Sequence, residues 1–194
     1  MPEIFPSLFW GRRWLCYVKA LLALMVQPRG ARQWFTQIET QIDPRHWQFG
    51  NSKYFFFDID DTLNAHGQGL SVEILKTLKS SLPENAKLIL LSNCSARRAS
   101  EHQLCIRNSE LAVELWPVGI KPDYHWLRQA LSLRGWDPRE CAMFGDRPTM
   151  DLYLAYQAGF ASRVWVKFWG QQRAWKTPLQ WAQNLEWALL GGAP

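Results

Sequence analysis

Charge is scarce in this chain. Asp, Glu, Lys and Arg make up 20% of its 194 residues, against 47% hydrophobic residues. A disordered chain has the opposite balance, so the composition predicts a folded, globular protein. Cysteine is equally sparse: Cys16, Cys94, Cys105 and Cys141 show no C-x-x-C spacing and, at this chain length, no disulfide framework, and are read as reduced, mostly packed thiols. The four histidines, His46, His66, His102 and His125, are scattered, and His66 is expected as a solvated loop residue. No apolar run reaches the ~20 residues of a spanning helix. Internal repeats and low-complexity tracts are also missing.

What is present divides into three parts: a basic, apolar helical segment over 1–50, a core over 51–170, and a C-terminal helix over 171–194. The first part carries Arg12, Arg13, Lys19, Arg29, Arg32 and Arg45 against Glu3, Glu39 and Asp43, and so holds +3 of the chain's formal charge of +5. Such a balance favours anionic partners. From Trp14 to Val26 twelve of thirteen residues are apolar, Lys19 being the exception. This stretch reads either as a helix packed on the core or as one lying on an anionic membrane through residues 1–27. Arg12-Arg13 has the look of an export signal, yet no small-x-small cleavage site follows and Gln27-Pro28-Arg29-Gly30 is a helix stop. The expected location is cytoplasmic, peripheral to the inner face of the membrane.

From residue 51 strands and helices alternate, the order of an α/β protein with a parallel sheet covered on both faces. Strands are predicted near 54–59, 88–92, 112–116, 141–145 and 163–168, and helices over 71–80, 96–105, 123–134 and 149–158. A last helix is expected to begin at Thr177-Pro178-Leu179-Gln180, with Trp181, Leu185 and Ala188 on its apolar face.

Chemistry concentrates where the strands end. Asp58-Ile59-Asp60-Asp61-Thr62 follows the run Tyr54-Phe55-Phe56-Phe57, and a period of two would send Asp58 and Asp60 to one face. Two carboxylates so placed need a cation between them or leave one protonated. Ser92-Asn93 follows Leu88-Ile89-Leu90-Leu91, Lys121-Pro122 follows Pro117-Val118-Gly119-Ile120, and Gly145-Asp146 with Asp151 follows Cys141-Ala142-Met143-Phe144. In a doubly wound sheet ligands bind at the carboxyl ends of the strands, which gathers all four segments into one crevice.

Together these motifs resemble the haloacid dehalogenase (HAD) superfamily of phosphohydrolases, over roughly residues 51–168. The resemblance implies a three-layer, Rossmann-like (HAD-like) fold. Regular elements already fill the intervals between motifs, so it also implies no cap domain and an open site for large or surface-bound phosphorylated substrates. By the same resemblance Asp58 is the nucleophile and Asp60 the general acid and base. Mg2+ is held by Asp58, Asp146 and the backbone carbonyl of Asp60. Ser92, Asn93 and Lys121 bind phosphate, while Thr62 and Asp151 are supporting residues. The absence of caps, the Lys-Pro pair and the G-D-x-x-x-x-D pattern are most similar to subfamily IIIA, in particular its YqeG-like group related to phosphatidylglycerophosphatases. The reaction implied is hydrolysis of a phosphomonoester, on a membrane phospholipid such as phosphatidylglycerophosphate. Ile120 and Leu152-Tyr153-Leu154-Ala155-Tyr156 depart from that group, which has Arg and Gly-Gly-Asn there.

Two rival readings use other features. A polynucleotide phosphatase would employ the interleaved basic and aromatic residues Arg163, Trp165, Lys167, Trp169, Arg173, Trp175 and Lys176, whose structural alternative is an edge strand facing solvent. A membrane-associated interaction protein with an inactive HAD core would need none of the acids.

Overall fold

The computed structural model describes residues 6–41, 43–64, 68–116, 121–167, 185–186 and 188–190, the side chains of 6–10 and 12 excepted. Helix α1 (Pro6–Val26) and the short α2 (Pro28–Ala31) precede strand β1 (Gln37–Glu39). Then come β2 (Tyr54–Phe57), α3 (Val72–Ser81), β3 (Lys87–Leu91), α4 (Ala96–Ser109), β4 (Val113–Trp116), α5 (Tyr124–Leu133), β5 (Cys141–Gly145), α6 (Tyr153–Ala158) and β6 (Ser162–Val166). The six strands form one sheet in the order β1-β6-β5-β2-β3-β4. Every neighbouring pair is parallel.

Alternation along the central strands builds the two cores. Phe55 and Phe57 of β2 point to one face with Leu88 and Leu90, where Leu75 and Leu78 of α3 and Ile106 of α4 cover them. Phe56 points to the other with Ile89, Leu91 and Met143, against Leu127 and Leu131 of α5 and Leu154 and Ala158 of α6. The result is the expected three-layer α/β architecture with helices on both faces, and no cap domain among the described residues. Ser71, Ser95 and Asp123 cap α3, α4 and α5, each side chain accepting a backbone N–H of the first turn. A cap of this kind is worth about 1 kcal/mol.

Two expectations change. Strand β1 has no apolar run to announce it, yet it pairs with β6, register Ile38 to Trp165, and closes that side of the sheet. Consequently β6 is not an edge strand: Trp165 is completely buried, Lys167 is buried, and Arg163 donates to the carbonyls of Trp34 and Gln33 at 3.0 and 3.1 Å. The described part of the basic and aromatic stretch therefore presents neither a solvent-facing edge nor a stacking surface for bases. Trp169, Arg173, Trp175 and Lys176 lie outside the described residues, as do His66, the run 117–120 and the start of the last helix at Thr177–Gln180 with Trp181. The described end of that helix buries Leu190 in a third cluster.

That third cluster settles how α1 sits. Ala20 and Leu24 are buried against Trp34, Leu152, Tyr153, Trp165 and Leu190. The opposite side of the helix leaves Trp14, Leu15, Leu22, Met25 and Val26 exposed. So α1 is part of the core and also carries an uncovered apolar face. No helix among the described residues is long and apolar enough to cross a membrane.

Candidate active site

Register brings the motifs to one place. Phe57 lies level with Leu90 on one side and Phe144 on the other, so Asp58, Ser92 and Asp146 emerge together at the carboxyl end of the sheet. Strands β2 and β5 are also where the order reverses, β3 and β4 continuing one way and β6 the other. The crevice between them is the switch point of the fold, where ligands bind in such sheets.

Carboxylate oxygens of Asp58, Asp146 and Asp151 come within 4.8 Å of one another, and all three residues are buried. Lys121 projects into the group: its Nζ donates to Asp151 Oδ1 at 2.6 Å and also to Asp58 Oδ1. Two of the three acids thus share one ammonium, and Asp146 has no contact with it among the described residues. Burial pushes Asp58 up to about 7, with the negative charge of Asp151 adding to it and Lys121 opposing. Asp146 is raised well above the usual carboxylate range by burial and then by Asp58 and Asp151. Burial alone would lower Lys121, but Asp151 and Asp58 outweigh it and hold the lysine raised. A buried excess of carboxylate oxygens, acid to acid within coordination reach, is a donor set that fits a hard divalent cation such as Mg2+.

The acids differ in how they are held. Both oxygens of Asp151 are engaged, Oδ1 by Lys121 and Oδ2 by the backbone N–H of Arg147 at 3.1 Å. Gly145 makes room for that side chain, since a Cβ at this position would stand 2.4 Å from Asp151 Cβ. Asp146 keeps its backbone in place through Trp165 Nε1, which donates to its carbonyl at 3.1 Å. Its carboxylate receives no hydrogen bond among the described residues. Asp58 and Asp146 are therefore the acids open to a ligand, and Asp151 the one tied to the scaffold.

Asp60 departs from the period-two expectation. Strand β2 stops at Phe57, and the chain turns at once: Leu63 N donates to Ile59 O, Asp61 N to Asn64 O, and Asp61 has φ +62°. The Asp60 carboxylate stands outside the three-acid cluster and pairs with Arg98 of α4, Nη1 to Oδ2 at 3.0 Å and Nη2 to Oδ1 at 2.7 Å. Thr62 does not shape the turn through its hydroxyl, because Oγ1 is buried without a partner and the backbone makes the turn. Asn93 likewise has a different job from the expected phosphate contact. Its Nδ2 donates to Lys121 O at 2.8 Å and its Oδ1 accepts Lys121 N at 3.1 Å, which fixes the lysine backbone. Ser92 is buried beside these groups at the end of β3. Cys94 is buried, and burial raises its thiol, consistent with a packed residue.

Three further residues reach the site without any motif to mark them. Arg98 is one. Arg13 of α1 donates from Nε and Nη2 to Lys121 O at 3.4 and 3.3 Å. Glu186 is buried and accepts from Arg147 Nη2 at 2.9 Å and from Thr149 Oγ1, pinning the loop between Asp146 and Asp151. Only Arg98 had a local signal, its place in the first turn of the helix after Ser92-Asn93. Through Arg13 the segment 1–27 is tied to the site as well as to the core.

Residues 119–172 match the family model described as HAD-hydrolase-like. That span includes Lys121, Asp146 and Asp151, and over it the chain is similar to the HAD-like hydrolases. No curated protein and no solved structure matches the chain.

Proposed function

We propose that the protein is a Mg2+-dependent phosphomonoester hydrolase that works through an aspartyl phosphate on Asp58. The observation that carries this reading is the cluster of three buried carboxylates, two of them paired with one buried lysine, at the switch point of the sheet. Asp58, Asp146 and the carbonyl of Asp60 would hold Mg2+, which when bound supplies positive charge to the phosphate oxygens. An Asp58 oxygen forms the bond to phosphorus while the bond to the leaving oxygen breaks, and Asp60 gives that oxygen its proton. Asp60 then takes a proton from water, the water oxygen attacks phosphorus, and phosphate leaves with Asp58 restored. Lys121, fixed by Asn93, balances charge on the phosphoryl group throughout.

Within the superfamily, the lack of a cap and the Lys121-Pro122 pair favour the YqeG-like group of subfamily IIIA and a phospholipid head group such as phosphatidylglycerophosphate. The exposed face of α1 supports a surface-bound substrate. Trp14, Leu15, Leu22, Met25 and Val26 lie there with the exposed Lys19, a combination suited to the interface of an anionic bilayer.

The test of the chemistry is release of phosphate from an aryl phosphate. Asp58→Asn nearly preserves shape but removes the nucleophile, and should lower kcat on the order of 10³-fold or more. Undiminished turnover in that variant would overturn the mechanism. No turnover by the unaltered chain with Mg2+ would leave the interaction-protein reading in its place.

A further inference from the structure

We propose that Arg98 makes the enzyme selective for phosphomonoesters that carry a second negative charge close to the scissile phosphate, by exchanging its hold on Asp60 for that second anion. This rests on the phosphomonoesterase reading above and names the substrate class of the same site.

The geometry sets the problem. Asp60 is the proton carrier of the proposed reaction, yet both its oxygens are bound by one guanidinium on α4. A carboxylate held in this two-pronged way lies outside the cluster where phosphorus is attacked, and has to leave Arg98 and take a proton from solvent before it can protonate the leaving oxygen. Whatever takes its place must be a planar or tetrahedral anion that matches the fork of an arginine, such as a second phosphate, a phosphodiester or a carboxylate.

Access distinguishes Arg98 from Lys121 and Arg147. The Lys121 side chain is 5% exposed and locked between two acids, and Arg147 is 12% exposed and held by Glu186, whereas Arg98 is 26% exposed and its partner Asp60 19%. A solvent-borne anion can therefore compete at Arg98 and not at Lys121 or Arg147. Its neighbours on α4 have another partner or are enclosed. Arg97 is tied to Glu101 at 3.1 Å, and His102, one turn further along, is buried, with its proton affinity lowered by burial and then by Arg98 itself. Beyond Asp60, the Nη2 of Arg98 reaches the carbonyl of Gln68 at 3.4 Å, so the guanidinium spans the side of the crevice next to the first motif.

Glycerol monophosphate and glycerol bisphosphate differ in the second phosphate alone and serve as probes. The unaltered enzyme should turn over the bisphosphate with a kcat/KM at least about tenfold higher, the scale of one charge-assisted two-pronged contact. In Arg98→Ala that preference should vanish: KM for the bisphosphate rises and the two probes converge on one kcat/KM. Arg98→Lys should restore part of the preference, and Arg98→Gln, which retains the side-chain bulk, should behave as Arg98→Ala. Equal kcat/KM for the two probes, or equal losses on both in Arg98→Ala and Arg98→Gln, would overturn the proposal while leaving the phosphatase reading intact. Calorimetric binding of both probes to Asp58→Asn with Mg2+ needs no turnover. Tighter binding of the bisphosphate that is lost on adding Arg98→Ala supports the role of Arg98 even if the unaltered chain hydrolyses nothing, a result that would sink the phosphatase reading instead. Equal affinities of the two probes for Asp58→Asn would count against Arg98.

Discussion

Gly145 shows how a single residue without a functional group decides whether the site exists. Asp151 lies where a Cβ on residue 145 would be, so Gly145→Ala has to push Asp151 off Lys121 or bend the end of β5. The expected cost is about 1–3 kcal/mol of stability, typical of an overpacked core, together with a loss of turnover larger than that of a neutral core substitution. Thermal melts and phosphate release measured side by side would check it; an active variant of unchanged Tm would refute the close packing. A second prediction concerns protons. Asp58 and Asp146 are held above the unfolded value of 3.8, so both favour the fold at low pH; the contribution of Asp58 is lost as pH rises through about 7, and that of Asp146 as it too ionises. Mg2+ binds the ionised acids and should offset that loss, so its addition should raise Tm more at about pH 8 than at about pH 5. A metal effect independent of pH would contradict the assignment of these acids as ligands. Asp58, Ser92, Lys121 and Asp146 were legible in the sequence because each stands just after an apolar run whose direction the fold class fixes, and Asp151 by its spacing from Asp146. The partners of Asp60 and Asn93 were not. A side chain beyond the last ladder bond follows the turn, and contacts such as Arg98 to Asp60 or Arg13 to Lys121 leave no periodic trace.

At the scale of elements, the strands and helices of the core fell where apolar runs and capping residues announced them, from Tyr54–Phe57 to Ser162–Val166. Strand β1 escaped because Gln37, Ile38 and Glu39 are recruited to the sheet by β6, a tertiary pairing that three mixed residues cannot signal. Helix α1 was read as either packed or membrane-facing, and its two sides divide the roles. Leu24 is 1% exposed and Leu22 54%. Leu24→Ala should therefore cost about 2–4 kcal/mol and Leu22→Ala less than about 0.5 kcal/mol. Denaturant titrations of the two variants make the comparison, and similar losses would mean that the helix does not pack by this face.

For the whole molecule, an uncapped crevice and an apolar helix face on one body suit a substrate that stays in its surface while its head group enters the site. The unaltered protein should bind vesicles containing anionic lipid, and less strongly as salt rises, since charge attraction is screened within ~8 Å at physiological ionic strength. Leu22→Glu combined with Val26→Glu should abolish the binding yet spare hydrolysis of a small soluble phosphate, because neither side chain is buried. Retained vesicle binding in that variant would remove α1 from the membrane reading. The pairing of β1 with β6, with α1 folded back over Tyr153, Trp165 and Leu190, also has a consequence for synthesis. The segment that carries α1 and β1 is made before the surface it docks on, so during translation the apolar side of α1 waits until β6 and Leu190 have emerged. Through Arg13 and Lys121 the waiting segment also touches the active site, so a nascent chain would acquire its final site geometry only when α1 has closed onto the finished sheet.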